Sequence, residues 1–135
     1  MASSNLEIVE RGFEAFNENG VEGILPYIHP EFEATTPPDL ASEPDTYRGH
    51  DGIRRWFSSF DEVMDEIRWD AHRFQEVDGR VLVEFTLRAR GKTTGLDFGQ
   101  DAVMVWELRD GQAIRVSLYA TVDEALSAIE QEPSI

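Results

Sequence analysis

The stretch from Leu96 to Thr121, LDFGQDAVMVWELRDGQAIRVSLYAT, constrains the fold more than any other part of the chain. Two alternating apolar runs flank Asp110-Gly111, a dipeptide that accepts the positive φ of a tight hairpin turn. Ala102, Met104, Trp106 and Leu108 share one face of the first run. Ile114, Val116, Leu118 and Ala120 share one face of the second, because strand side chains repeat every two residues. An apolar face of this length, with an indole at its centre, requires a cover, and the rest of the chain must supply it.

With 135 residues, the length suits a single domain spanning 1–135 with one core. The balance is acidic, 27 Asp and Glu against 12 Lys and Arg, for a formal net charge of −15. Such a surface repels phosphate backbones and anionic lipid, so neither nucleic acid nor membrane is expected as a partner. There are no cysteines, hence no disulfide, thiolate nucleophile or Cys-ligated metal. The N-terminus shows no basic region or apolar run of a signal peptide, and no stretch nears the ~20 apolar residues of a membrane span. A soluble cytoplasmic protein is expected.

Ser4-Asn5-Leu6-Glu7 has the pattern of a capping box, and Leu6, Val9, Phe13 and Phe16 form one helical face after it. Gly12 interrupts that helix and points to close packing or open room. Asn19-Gly20 stops it. A second helix is expected from Val21 to about Ile28, with Pro26 near its first turn. Glu31 to Thr36 alternates as a strand, with Phe32, Ala34 and Thr36 on one face, and Pro37-Pro38 ends it. Asp39 to Tyr47 reads as a surface loop. A third helix runs from His50 to about Asp65, with the stripe Ile53, Trp56, Phe57, Phe60 and Met64. Four antiparallel strands follow: Ile67–Val77, Arg80–Arg90 and the two arms of the hairpin. Thr121-Val122-Asp123-Glu124 opens a last short helix. Helices first and a meander afterwards define an α+β chain. Three N-terminal helices are expected to pack on a strongly curved, mostly antiparallel sheet that forms a cone, an α+β barrel of the cystatin-like kind.

FEAFNENGVEGILPYIHPEFEATTP, YRGHDGIRRWF and VMVWELRDGQAIRVSLYATVDEAL, in this order, resemble the nuclear transport factor 2-like superfamily. The nearer likeness is to its SnoaL-like branch, which includes polyketide cyclases and is related to ketosteroid isomerases. The resemblance covers about Leu6 to Ala128. It implies a homodimer packed through the outer sheet face and a pocket between the inner face and the helices. It also implies where isomerase groups would sit. The carboxylate base falls at Thr36, the phenol donor at Gly12, and the protonated acid at Met104, or Val103 with a different gap. None of these residues can supply that chemistry. Fold alone does not name a reaction.

Other candidates come from the residues themselves. Tyr47 can donate a phenolic hydrogen bond or simply bury its ring. His50, opening the third helix, is either a general acid–base at a pocket rim or a packing residue. Asp101 is a base if desolvated, although strand parity sets it opposite Met104 and Trp106. His29, His50 and His72 lie in separate elements without metal-ligand spacing, so neither a metal nor a cofactor is expected. Arg88 and Arg90 share a face with Glu84, which suits cross-strand ion pairing. The expected pocket lining is Gly12, Phe13, Phe16, Phe32, Ala34, Thr36, Trp56, Phe57, Phe85, Met104, Trp106 and Leu118. The residues favour an apolar, aromatic-lined pocket for a small hydrophobic organic molecule, as a binder or an isomerase-, cyclase- or hydratase-type enzyme. The alternative is a non-catalytic homodimeric binding or interaction module.

Overall fold

The computed structural model of the chain describes residues 5–35, 46–62 and 64–131. The Ser4 capping box, Thr36 and the Pro37-Pro38 strand end fall outside them. Helix α1 is Asn5–Asn19 and α2 is Val21–Ile24, followed by a single 3-10 turn at Leu25–Tyr27. Strands β1 (Ile28–Thr35) and β2 (Thr46–Arg48) lead to α3 (Gly49–Asp61). Strands β3 (Met64–Val77), β4 (Arg80–Gly91), β5 (Asp97–Arg109) and β6 (Gln112–Tyr119) form the meander, and α4 (Val122–Gln131) closes the described chain.

Two tight turns organise the meander. Asp78-Gly79 has φ of 50° and 77°, and Asp110-Gly111 has φ of 52° and 81°. Positive φ at both central residues gives each turn the twist that a hairpin needs. Strand β4 then pairs with β5 in an unbroken antiparallel register, Val83 opposite Met104 and Val81 opposite Trp106.

The sheet does not close into the expected cone or barrel. Its order is β2-β1-β6-β5-β4-β3, with β2 and β3 as opposite edges. Closure demands a staggered pairing all the way round. Here β2 offers three residues, all paired to β1, and among the described residues β3 pairs with β4 alone. The sheet is also mixed, since β1 runs parallel to β6.

Local departures from the sequence reading have physical causes. Helix α2 stops at Ile24 because Pro26 lacks an N–H and its ring crowds the preceding turn, so the chain tightens into the 3-10 turn. Met64 leaves the expected helix stripe because its backbone pairs with Gly91 at the start of β3. Thr46–Arg48 is a strand and not loop, with Tyr47 opposite Ala34; three residues are too few for alternation to show. The pairing of β5 with β6 shifts register between Glu107 and Leu108, so Leu108 faces Ala113 while Glu107 faces Arg115, and the extra residue falls on β6. That bulge leaves Ala113, Val116 and Leu118 buried and Ile114 only half-buried.

Both sheet faces are covered in part. The main core holds Phe32, Trp56, Trp69, Phe85, Met104, Trp106 and Val116 on the inner face, with Leu6, Phe13 and Phe16 of α1 packed against it. A smaller core lies on the outer face, where Ala125 and Ile129 of α4 cover Leu82, Val103 and Val105. Helix α4 is capped as its sequence suggests: Glu124 N–H donates to Thr121 Oγ1 (3.2 Å), and Ala120 N–H donates to the Glu124 carboxylate (3.2 Å). The inner face, below α1, is where the cavity lies.

Candidate functional site

A cavity of about 50 Å³ sits between α1 and the inner sheet face. Helix α1 contributes Ile8, Val9, Gly12, Phe13 and Phe16 to its wall, one side of an amphipathic helix. Ile24, Tyr27 and Ile28 come from the turn into β1, and Phe57 from α3. The sheet supplies Trp69, Met104, Trp106, Leu108 and Ala113. Gly12 helps make the space: a Cβ built on it would meet nothing within 4 Å. Ala113, delivered by the β6 bulge, is the other small wall residue.

Aromatic rings frame one end. Trp69 is the hub, with its ring centroid 5.3 Å from Phe85, 5.6 Å from Phe57, 6.3 Å from Trp56 and 6.5 Å from Phe16. Phe16 and Phe57 lie 4.7 Å apart. At the other end Phe32 stacks on Trp106 at 6.3 Å. Such contacts fix ring orientation beyond simple burial. A wider open groove of about 510 Å³ lies between α1 and β3, bordered by Glu10, Glu14, Asn17, Asp70 and His72 and sharing Phe13 and Trp69 with the cavity.

Gly12, Phe13, Phe16, Phe57, Met104 and Trp106 thus stand on the cavity wall. Phe32, Ala34, Trp56, Phe85 and Leu118 belong to the core behind it. Ile8, Val9, Ile24, Tyr27, Ile28, Trp69, Leu108 and Ala113 join the wall beyond the lining expected from the sequence. For Trp69 a signal existed, since Ile67, Trp69 and Ala71 alternate along β3.

The three polar candidates are placed apart from one another. Tyr47 is buried on β2, with the Arg55 guanidinium 5.3 Å from its ring centroid. His50 Nε2–H donates to the Ile28 carbonyl at 2.8 Å, tying the start of α3 to the start of β1. Asp101 is exposed on the outer sheet face, where it accepts a hydrogen bond from Thr86 Oγ1 at 2.6 Å. Thr86 in turn accepts from His72 Nε2 at 2.5 Å, so His72, Thr86 and Asp101 form one hydrogen-bonded chain across β3, β4 and β5. None of the three candidates is among the described residues of the cavity wall. The neighbouring charges are paired across strands: Arg88 with Asp70 (2.8 Å), Arg90 with Asp97 (3.4 Å), and Arg48 with Glu33 (3.1 Å).

One polar atom of a wall residue stands out. The indole Nε1–H of Trp106 is buried and has no hydrogen-bond partner among the described residues. Among the described wall residues only Tyr27, Trp69 and Trp106 carry a side-chain nitrogen or oxygen, and none carries a carboxylate or imidazole.

Helices laid over the inner face of an open mixed sheet, with an apolar cavity beneath the first helix, define an α+β domain of the nuclear transport factor 2-like class. The family model for the SnoaL-like domain matches residues 9–116, and the chain belongs to that family. Among solved structures it is similar to TerC co-crystallised with polyporic acid, at 28% identity and a TM-score of 0.76, covering 95% of this chain and 99% of TerC. An NTF2-like protein of Burkholderia pseudomallei shares 23% identity and a TM-score of 0.77, over 93% of this chain and 97% of that one. An NTF2-like protein of Burkholderia thailandensis shares 20% identity and a TM-score of 0.80, over 98% of this chain and all of that one (100%). The last two share the fold. No curated protein matches the chain. No helix among the described residues is long and apolar enough to cross a membrane.

Proposed function

We propose that the chain works as one SnoaL-like domain, residues 1–135, that binds a small apolar organic molecule between α1 and the inner sheet face. The observation that carries this reading is the apolar cavity of about 50 Å³ framed by the Trp69 aromatic cluster. Apolar walls with few polar groups are the usual make-up of small-molecule sites. The likeness to TerC, co-crystallised with polyporic acid, supports an organic occupant. The volume exceeds what one water needs yet falls below the ~300 Å³ at which ligand pockets usually begin. An occupant therefore enters in part, or displaces half-buried wall side chains such as Phe13 and Phe57.

The absence of a carboxylate or imidazole from the described wall favours binding over general acid–base chemistry inside the cavity. A homodimer through the outer sheet face belongs to the same proposal. Helix α4 occupies that face over Leu82, Val103 and Val105, which leaves the part around Thr86 and Asp101 for a second copy.

Crystals pressurised with xenon test the site, because xenon enters dry apolar cavities without needing hydrogen bonds. The expected result is a xenon peak bordered by Gly12, Phe16 and Trp106. Density elsewhere only, or none, overturns the reading.

A further inference from the structure

The cavity beneath α1 and the open groove between α1 and β3 share two wall residues, Phe13 and Trp69, which alone among the described lining residues border both spaces. Trp69 is 4% exposed and held by the rings of Phe16, Trp56, Phe57 and Phe85. Phe13 is half-buried and meets Phe74 edge-on at 5.4 Å. Its neighbour Gly12 has no atom within 4 Å of where a Cβ would stand. Of the two rings, Phe13 is therefore the one with room to turn. With it turned aside, the cavity of about 50 Å³ opens onto the groove of about 510 Å³. The joined space passes the ~300 Å³ at which ligand pockets usually begin.

The two ends of that space differ in polarity. The cavity wall is apolar, whereas the groove adds Glu10, Glu14 and Asn17 from α1 and Asp70 and His72 from β3. Asp70 is already answered by Arg88 at 2.8 Å, and His72 is tied to Thr86. Glu10 and Glu14 stand one helical turn apart, where like charges repel, and no lysine or arginine is among the described groove residues. A cation beside them is attracted and relieves that repulsion, while an anion adds to it, in a chain whose formal charge is already −15. We propose that the site takes an amphipathic amine. Its apolar body passes Phe13 into the cavity under α1, and its protonated amino group stays in the groove beside Glu10 and Glu14. This rests on the binding reading above and adds to it the charge of the ligand and its way in.

Hydrocinnamylamine, hydrocinnamyl alcohol and hydrocinnamate carry one phenyl body with a cationic, a neutral and an anionic head, and toluene supplies the body alone. Calorimetric titration of the wild-type protein at neutral pH should show the amine binding tighter than the alcohol by about threefold to tenfold, with hydrocinnamate weakest. Added salt should shrink the amine's advantage, because the groove is open to solvent. Glu10 and Glu14 are exposed, so the double variant Glu10→Gln/Glu14→Gln keeps the packing of α1, and in it the amine-to-alcohol ratio should fall toward one. Saturating toluene should weaken the amine, since both need the cavity. An amine no tighter than the alcohol, or one that keeps its advantage in the double variant, overturns the head-group assignment and leaves the cavity reading standing. Amine binding that toluene does not weaken overturns the joined site. Failure of toluene to bind the wild type overturns the cavity reading and this proposal with it.

Discussion

Trp56 of α3 and Trp69 of β3 stack with ring centroids 6.3 Å apart and planes 29° from parallel, fastening the third helix to the edge strand of the sheet. Trp69 is 4% exposed and touches rings from α1, α3 and β4 as well. It joins α1 and α3 to β3, which no backbone hydrogen bond among the described residues does. Trp69→Ala should therefore cost about 3–5 kcal/mol in unfolding free energy, the range for a large aromatic removed from a packed core. Urea denaturation checks this, and a loss under about 1 kcal/mol would show that the cluster is not what holds α1 and α3 to the sheet.

Gly23 marks a close approach of α2 to α1. A Cβ there would lie 2.7 Å from the Ala15 carbonyl oxygen and 2.9 Å from Asn19 Cβ. The first of these is backbone and cannot turn aside. Gly23→Ala should destabilise the fold by about 1–3 kcal/mol, although alanine is the better helix former. A melting temperature that holds or rises would contradict so tight a contact between the two helices.

Helices α2 and α3 are joined by Arg54, whose Nε donates to Glu22 Oε2 at 2.9 Å and whose second nitrogen reaches Oε1 at 3.3 Å. The hydrogen bond from Arg54 holds the Glu22 carboxyl below its ordinary value of 4.5. A carboxyl lowered in the folded state adds stability above its unfolded pKa and loses it as pH falls through the folded one. Glu22→Gln should thus melt slightly below the wild type at neutral pH, and the gap should close as the solution is acidified past the carboxylate range. Both side chains are exposed, so added salt should shrink the gap as well. A gap that grows on acidification would have the wrong sign.

Much of this fold is legible in the residues, and the reasons differ from element to element. The Asp78-Gly79 and Asp110-Gly111 turns are local chemistry, so the hairpins they close follow directly from sequence. The inner face of β4, with Val81, Val83 and Phe85 buried, follows from period-two alternation. Closure of the sheet does not, because it depends on whether two distant edges meet, and three-residue β2 offers no pattern to read. The burial of Val103 and Val105 on the outer face escapes alternation too, since α4 arrives there from the far end of the chain. In the site, Phe13, Phe16 and Trp106 were accessible from periodicity. Ala113 was not, because a one-residue bulge exchanges the faces of β6. The unpaired Trp106 N–H exists only in three dimensions.

Gly12 gives the most direct test of the central claim, that the cavity under α1 binds a small apolar molecule. It lies inside α1 on the cavity wall with open space where a side chain would begin. Gly12→Leu should fill the cavity while gaining about 1 kcal/mol of helix propensity, so the variant should melt no lower than the wild type. Calorimetric titration with toluene should then show one saturable site in the wild type and none in Gly12→Leu. Equal binding by both proteins, or no binding by the wild type, would contradict the account.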